Sequence, residues 1–210
     1  MPSRRGRKPY DSTRRAAAAR RTRTAVARAF GELLVADGYK AATIRAVADR
    51  AGVSPETVYK TFGGKQGLIK ALWDITLAGD DDPVAMIDRE QAREVLAADE
   101  PATKMWLYAG CVRAIHERVT PLATLLAQAG PEGAAVLAAG EQERRHSVRA
   151  FVDHLAERGA LRTGTDPVRA ADACWALTTT AVFSKLTVEA GWDGAAYQRW
   201  LSAMLTATLL

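Results

Sequence analysis

Regularly spaced prolines and glycines constrain the fold of this chain more than any other feature of the sequence. A proline in the first turn of a helix costs little, because its missing N–H has no partner there. Five pairs fit this position, and in four of them the residue before the proline is a favoured N-cap. They are Ser54-Pro55, Asp82-Pro83, Glu100-Pro101, Thr120-Pro121 and Asp166-Pro167.

Glycines follow the apolar-periodic segments and can adopt the left-handed conformation that ends a helix. These predicted stops are Gly38, Gly52, Gly63, Gly79, Gly130, Gly159 and Gly191. Strand-like alternation of apolar and polar residues does not occur. The sequence therefore predicts an all-α protein of nine or ten helices with short connections.

The charge is concentrated at the N-terminus. Residues 1–30 hold ten basic side chains against the single acid Asp11, a net charge of +9, whereas the whole chain of 210 residues carries +5. The other residues are thus mildly acidic at −4, and their apolar content is high enough to fill a core. We predict a basic arm over residues 1–20 that contacts a nucleic acid or an anionic membrane surface. Its cations are Arg4, Arg5, Arg7, Lys8, Arg14 and Arg15.

The sequence shows no sign of secretion or membrane insertion. Two cysteines, Cys111 and Cys174, are too few for a disulfide-stapled secreted domain. Polar residues, not an apolar run, follow the first arginines, and no stretch of 18 apolar residues occurs. We expect a cytoplasmic protein with no membrane partner.

Residues 43–65 combine two short helices with a tight turn. Thr43 can cap a helix that ends at Gly52, and only two residues later Ser54 and Pro55 open the next one. Two short helices joined by a turn containing glycine form a helix-turn-helix. If the second helix buries Val58 and Phe62, its polar side chains face outward, as needed to enter a major groove. These are Thr57, Tyr59, Lys60 and Thr61.

A fourth helix is predicted to start at Lys65, where the lysine and free N–H groups can hold a phosphate. The string "FGGK" at residues 62–65 also invites comparison with a nucleotide-binding phosphate loop. That interpretation fails, because the loop's first glycine and the Ser or Thr after its lysine are absent.

The segment "TIRAVADRAGVSPETVYKTFGGKQGLIKAL" resembles the DNA-binding domain of the tetracycline-repressor (TetR) family of bacterial transcription regulators, from about Ala25 to Leu72. The resemblance implies a three-helix DNA-binding domain, placed at residues 21–78, and a larger helical ligand and dimerisation domain at residues 79–210. It implies that base edges are approached by Arg45, Pro55, Glu56, Tyr59 and Lys60. It implies phosphate contacts from Thr43, Ser54, Thr57, Tyr59, Thr61 and Lys65.

Glu56 departs from the family pattern, since many members carry glycine at this position. Its carboxylate either accepts a hydrogen bond from a cytosine amine or points into solvent.

The C-terminal part has no sharp motif, and a small-molecule effector is expected from the resemblance alone. An aromatic-rich helical interior serves either as plain core or as a ligand pocket. The candidates for lining a pocket are Trp106, Cys111, His116, Phe151, His154, Trp175 and Phe183.

Two apolar helices, at about 167–190 and 194–209, end the chain, and their exposed apolar surface suggests a partner. In the family the last two helices pair with those of a second copy as a four-helix bundle. The resemblance thus implies a homodimer whose interface includes Ala173, Leu177, Thr180, Trp200, Leu201, Met204 and Leu205.

Catalytic and metal sites find little support. A carboxylate metal site in a bundle needs two Glu-x-x-His pairs, and Glu143 with His146 gives one. No cofactor is expected. The function predicted is a homodimeric regulator, a repressor that a small molecule releases from an inverted-repeat operator. Two alternatives stay open: an effector-independent DNA-binding regulator controlled by its abundance or by a protein partner, and a helical enzyme with an unrelated basic tail.

Overall fold

The computed structural model describes the backbone of residues 11–210 and the side chains from residue 14 onward. This part of the chain is all-α, as predicted, with ten α-helices and no strand. They are α1 Asp11–Ala41, α2 Ile44–Ala51, α3 Pro55–Phe62, α4 Lys65–Ala78, α5 Glu90–Ala97, α6 Pro101–Ala127, α7 Gly130–Glu157, α8 Pro167–Leu177, α9 Thr180–Ser184 and α10 Gly194–Leu209. A 3₁₀ turn, Met86–Asp88, precedes α5, and one π-helical turn, Lys185–Glu189, follows α9.

The chain divides into two compact units. Unit 1 ends at Ile75, and unit 2 comprises Thr76–Leu210. The boundary lies inside α4, slightly before the position expected from the sequence. The predicted arm is helical from Asp11 onward, so Arg14 and Arg15 lie on α1. Arg4, Arg5, Arg7 and Lys8 lie outside the described residues.

In unit 1 the apolar faces of four helices pack together. α1 contacts α2, and α2 contacts α3. Fully buried apolar side chains on each of the four helices exclude water from this core. The core residues include Phe30 and Leu34 of α1, Val47 and Ala48 of α2, Val58 of α3, and Leu68 and Ile69 of α4.

Unit 2 is built around α6. This long helix packs against α5, α7, α9 and α10, while α8 packs against α7 and α10. Large apolar side chains from these elements form one core, including Met105, Val112, Phe151, Leu155, Phe183, Tyr197, Leu201, Leu205 and Leu209.

Two of the five predicted proline helix starts are wrong. Pro83 lies in an irregular segment before the 3₁₀ turn, and Pro121 lies inside α6. A proline inside a helix removes one backbone hydrogen bond. Continued burial of α6 through Leu122 and Leu126 outweighs that loss. Pro55, Pro101 and Pro167 begin helices as expected.

The single helix expected at 167–190 is broken. α8 ends at Leu177, and α9 starts at Thr180. The Thr179 hydroxyl caps α9 by accepting a hydrogen bond from the Val182 amide at 3.2 Å. The Thr178 hydroxyl donates back to the Cys174 carbonyl at 2.8 Å. Neighbouring threonines thus offer local hydrogen bonds that compete with a continuous helix.

No helix within residues 11–210 is both long and apolar enough to cross a bilayer.

Candidate nucleic-acid interface

The α2–turn–α3 segment is fixed by short-range caps. The Thr43 hydroxyl accepts from the Ala46 amide at 3.2 Å, and the Ser54 hydroxyl accepts from the Thr57 amide at 3.2 Å. Between them Gly52 ends α2 in the left-handed region, with φ 66°. Each cap satisfies a backbone donor that the first turn of a helix leaves open. The sequence therefore determines the two helix starts and the turn locally, as predicted.

A second tight turn follows α3 and depends on glycine. Gly63 has φ 72° and its amide donates to the Tyr59 carbonyl at 2.8 Å. At Gly67 a Cβ atom would lie 1.8 Å from the Phe62 carbonyl oxygen. Since this is backbone, no side-chain movement relieves the clash. α4 can therefore approach the end of α3 only because residue 67 has no side chain.

α3 presents one buried face and one exposed face. Val58 is fully buried, whereas the neighbouring Tyr59 is 56% exposed. Glu56, Lys60 and Thr61 are also exposed. A helix of eight residues with an aromatic hydroxyl, a cation and a carboxylate on its free side has the dimensions and the hydrogen-bonding groups for a major groove. Tyr59 is thus not a core aromatic.

Three of the hydroxyls expected to contact phosphates already have hydrogen-bonding partners at the start of α3 or within it. The Thr61 hydroxyl donates to the Thr57 carbonyl at 2.7 Å. The hydroxyls of Ser54 and Thr57 lie 3.2 Å apart. Hydroxyls rotate to suit their partners. A phosphate contact from Thr61 therefore requires the hydroxyl to exchange its bond to the Thr57 carbonyl for one to the phosphate.

Glu56 is held in its charged form at the start of α3. Its own backbone N–H and the Ser54 hydroxyl hydrogen-bond to the carboxylate and lower the pKa of Glu56 below its usual value. A carboxylate is also favoured in the first turn by the helix dipole. At neutral pH this residue can accept a hydrogen bond from a base, but it repels phosphate.

Lys65 is placed by an interaction that the sequence did not indicate. Its Nζ atom donates to the carbonyl of Tyr39 and lies 3.7 Å from the centroid of the Tyr39 ring. The half-buried ring of Phe62 is similarly covered by the Arg23 guanidinium, at 5.1 Å. Both contacts combine a cation with an aromatic face. The position of Tyr39 directly after Gly38 was the only available signal, because that glycine has φ 77° and kinks α1.

Arg45 is exposed in the first turn of α2, and Thr43 is exposed just before it. Most of the predicted DNA-contacting residues are therefore exposed, either at the start of α2 or on the exposed side of α3. Pro55 and Thr57 are half-buried at the start of α3. The contacts themselves stay predictions.

Unit 2 brings only some of the predicted pocket residues together. His116 is buried, and its ring meets that of Phe183 edge to face at a centroid distance of 5.3 Å. Phe151 is stacked on Tyr108, with centroids 3.9 Å apart. Cys111 is half-buried.

The other three predicted pocket residues have other surroundings. Trp106 is 44% exposed. His154 Nε2 lies 3.3 Å from Nζ of the buried Lys104, which donates to the carbonyls of the last turn of α5. Trp175 lies against Arg144 and Arg145, at 5.4 and 5.2 Å from its ring. His154 and Trp175 thus have contacts within unit 2, although Nε1 of Trp175 is buried without a hydrogen-bond partner among the described residues.

The predicted dimer residues fall into two groups. Leu201 and Leu205 are fully buried in the core of unit 2, so their side chains are not available to a partner in this conformation. This corrects the prediction made from the apolar pattern of α10. That pattern does not distinguish the face of the helix that packs into the core from the face that lies on the surface. The remaining five are half-buried and leave some surface free: Ala173, Leu177, Thr180, Trp200 and Met204.

Comparison with known proteins gives a match over the helix-turn-helix. Residues 28–72 match the profile of bacterial regulatory proteins of the tetR family. A stretch of 41 residues is 46% identical to YvkB of Bacillus subtilis (strain 168), described as an uncharacterized HTH-type transcriptional regulator. The stretch spans 20% of this chain and 22% of that curated relative.

Solved structures share the fold along most of the chain. A TetR-family transcriptional regulator from Mesorhizobium loti aligns with a TM-score of 0.64 at 19% identity, over 90% of this chain and 96% of that one. FadR of Bacillus subtilis, in complex with stearoyl-CoA, aligns with a TM-score of 0.65 at 15% identity, over 89% of this chain and 99% of that one. The similarity in fold thus extends well beyond the helix-turn-helix.

Proposed function

We propose that this chain, a member of the TetR family of bacterial regulatory proteins, is a homodimeric repressor that a small molecule releases from an inverted-repeat operator. One observation carries the DNA-binding part. α3 is a short helix with Tyr59, Lys60 and Glu56 on its exposed side, held by caps at both ends on a helix-turn-helix.

The proposed recognition follows from the size and chemistry of α3. A helix fits the major groove of B-form DNA, where each base pair has a distinct pattern of donors and acceptors. Tyr59 and Lys60 supply donors, and Glu56 supplies an acceptor. Two-fold symmetry in a dimer would place two copies of α3 in successive major grooves, about 34–36 Å apart. The operator is therefore an inverted repeat.

The proposed regulation assigns the effector to unit 2. The FadR relative of similar fold is described in complex with stearoyl-CoA, which supports a ligand-binding role for a helical unit of this kind. Release from DNA requires a ligand that prefers the conformation unable to fit the operator. By reciprocity, operator DNA weakens ligand binding by the same factor, typically ~5–150-fold.

The DNA-binding part is tested by selecting a duplex from a random pool with the full-length protein and measuring its affinity for variants. Tyr59→Ala and Lys60→Ala should each lose about 1–3 kcal/mol of binding free energy. Both side chains are exposed, so thermal unfolding should stay unchanged.

Lys185→Ala is the matched control, because it removes an exposed lysine of unit 2 whose partner is Glu189, one turn away. It should bind the selected duplex like the wild type. If Tyr59→Ala and Lys60→Ala also bind like the wild type, α3 is not the recognition helix.

A further inference from the structure

Six buried side-chain polar atoms of unit 2 have no hydrogen-bond partner among the described residues, and, besides Nε of Arg113, three of them lie on α6 and α10. They are Nδ1 of His116, Oγ1 of Thr120 and the hydroxyl of Tyr197, and none has a hydrogen-bond partner in the described part of the chain. The residues are 3%, 8% and 0% exposed. Buried polar groups in native proteins nearly always find a partner. Three such atoms on neighbouring elements of unit 2 can each form a hydrogen bond with a bound molecule.

These groups come from elements that meet around Phe183. His116 and Thr120 are one turn apart on α6, so they lie on one face of that helix. Phe183 of α9 contacts the His116 ring at 5.3 Å and the Tyr197 ring at 4.9 Å, both edge to face. α6 also packs against α9 and α10. The rings of His116, Phe183 and Tyr197 thus meet, and Thr120 lies one turn from His116 on α6.

We propose that His116, Thr120 and Tyr197 form the polar end of the effector site, and that the effector is an uncharged, flat aromatic compound with a hydroxyl group, a phenol in chemical class. This inference rests on the proposed function and narrows it. It also adds Thr120 and Tyr197 to the residues that the sequence suggested.

The hydroxyl follows from the hydrogen-bonding chemistry of the cluster. Burial lowers the pKa of His116 to about 4, so its ring is neutral at physiological pH. A neutral imidazole has one donor and one acceptor, and the hydroxyls of Thr120 and Tyr197 can each donate or accept. A ligand hydroxyl both donates and accepts, and therefore satisfies this set whichever ring nitrogen carries the proton.

The absence of ligand charge follows from the state of the nearby cation. Arg144 forms an ion pair with Glu141 and donates to the Trp175 and Thr178 carbonyls at 2.9 and 3.1 Å. Its positive charge is thus already compensated. A buried carboxylate or phosphate on the ligand would need its own cation. An aromatic body, in contrast, fits the edge-to-face arrangement of Phe183 and Tyr197.

α9 provides a way to admit the ligand. It has only five residues, between the Thr178–Thr179 break and the π-helical turn Lys185–Glu189. Such turns are common at functional sites. Because Phe183 lies on this short element, entry of a ligand beside His116 requires α9 to move.

The test uses three probes that share one ring system: 1-naphthol, naphthalene and 1-naphthoate. Calorimetric titration of the full-length protein should show 1-naphthol binding about tenfold more tightly than the other two, the value of a hydrogen bond to a buried group. Tyr197→Phe and Thr120→Val should remove most of this advantage. Tyr108→Phe and Thr206→Val should keep it, because the Tyr108 hydroxyl bonds to Cys174 and the Thr206 hydroxyl to the Ser202 carbonyl.

The free protein gives a second readout that needs no ligand. Tyr197→Phe should raise the melting temperature, because it removes an unsatisfied buried hydroxyl and keeps the ring, whereas Tyr108→Phe should lower it. A lower melting temperature for Tyr197→Phe would mean that a bound water already satisfies the hydroxyl, and would overturn the site. Equal binding of the three probes, tightest binding of 1-naphthoate, or failure of 1-naphthol to bind would overturn it too.

These outcomes are separate from the fate of the proposed function. A protein that selects an operator but ignores 1-naphthol keeps its DNA-binding role and loses this site. If 1-naphthol binds through Tyr197 with equal affinity in the presence and absence of operator, the site stands and the proposed regulation fails.

Discussion

Glu56 is a charged acceptor on a helix whose other exposed groups are suited to an anionic partner. Hydrogen bonds from its own amide and from Ser54 lower the pKa of this carboxyl below its ordinary value, so that it is charged at neutral pH. Next to DNA it is repelled by every phosphate and attracted only where a base offers a donor, such as the cytosine amine. At this residue specificity and overall affinity therefore oppose each other.

Glu56→Gln should tighten binding to non-specific DNA, because a negative charge is lost from the binding face. The same change should weaken discrimination at a single base pair of the operator by about 1–3 kcal/mol. Competition titrations with operator duplexes mutated one position at a time measure both effects. Unchanged non-specific affinity would place Glu56 away from the DNA.

His116 makes folding stability depend on pH. Its pKa of about 4 lies below the ordinary value of 6.5 because the side chain is buried. As the pH falls below 6.5, the unfolded chain takes up a proton that the folded chain does not, so stability decreases until about pH 4. Between pH 7 and pH 5 this amounts to about 2 kcal/mol.

Urea unfolding of the wild type and of His116→Phe at both pH values isolates this contribution. His154, whose pKa is also lowered by burial, contributes equally in the two proteins. The variant should lose about 2 kcal/mol less than the wild type on acidification. Equal losses would show that the His116 ring is not shielded from water.

At the scale of elements, the break between α8 and α9 is held by a side chain from α7. Arg144 donates to the Trp175 and Thr178 carbonyls and to the Thr178 hydroxyl, which are acceptors that the end of α8 leaves free. Arg145, the next residue, also lies over Trp175 but makes a single ion pair with Asp172 and is 63% exposed. The two arginines thus share the contact with Trp175 but differ in their hydrogen bonds to the break and in burial, since the Arg144 side chain is only 19% exposed.

Arg144→Ala should therefore destabilise the protein by about 1–3 kcal/mol, since it removes the guanidinium donor from the part-buried carbonyls of Trp175 and Thr178. Arg145→Ala should cost less than about 1 kcal/mol, as expected for an exposed ion pair. Chemical denaturation of both variants gives the comparison. Equal effects would mean that the cation–aromatic contact, not the hydrogen bonding, is what matters at Arg144.

The elements differ in how well the sequence predicts them. The caps at Thr43, Ser54 and Gly63 act within three or four residues, so the helix-turn-helix and its exposed Tyr59 follow from local chemistry. Pro121 was misassigned because packing of the whole of α6 overrides a local helix-start signal. The unpartnered hydroxyl of Tyr197 could not be predicted, because it depends on which side chains from distant helices surround it.

At the scale of the whole molecule, the proposal needs two copies of the chain. The burial of Leu201 and Leu205 in the core leaves the half-exposed residues of α8 and α10, Trp200 and Met204 among them, as the surface for a second copy. The periodicity of the sequence identified α10 as apolar on more than one side. Only the fold shows which of its apolar residues lie in the core and which lie on the surface. In this proposal the dimer determines the spacing of the two recognition helices, and so the symmetry of the DNA site.

The most direct test of the account is a hydroxyl-radical footprint of the full-length protein on its selected operator, with sedimentation of the complex. We expect two copies of the chain per duplex and two protected half-sites of inverted sequence, centred about 34–36 Å apart. Lys60→Ala should weaken the protection of both half-sites together. Protection of a single half-site by one copy, or a footprint that Lys60→Ala leaves intact, would contradict the account.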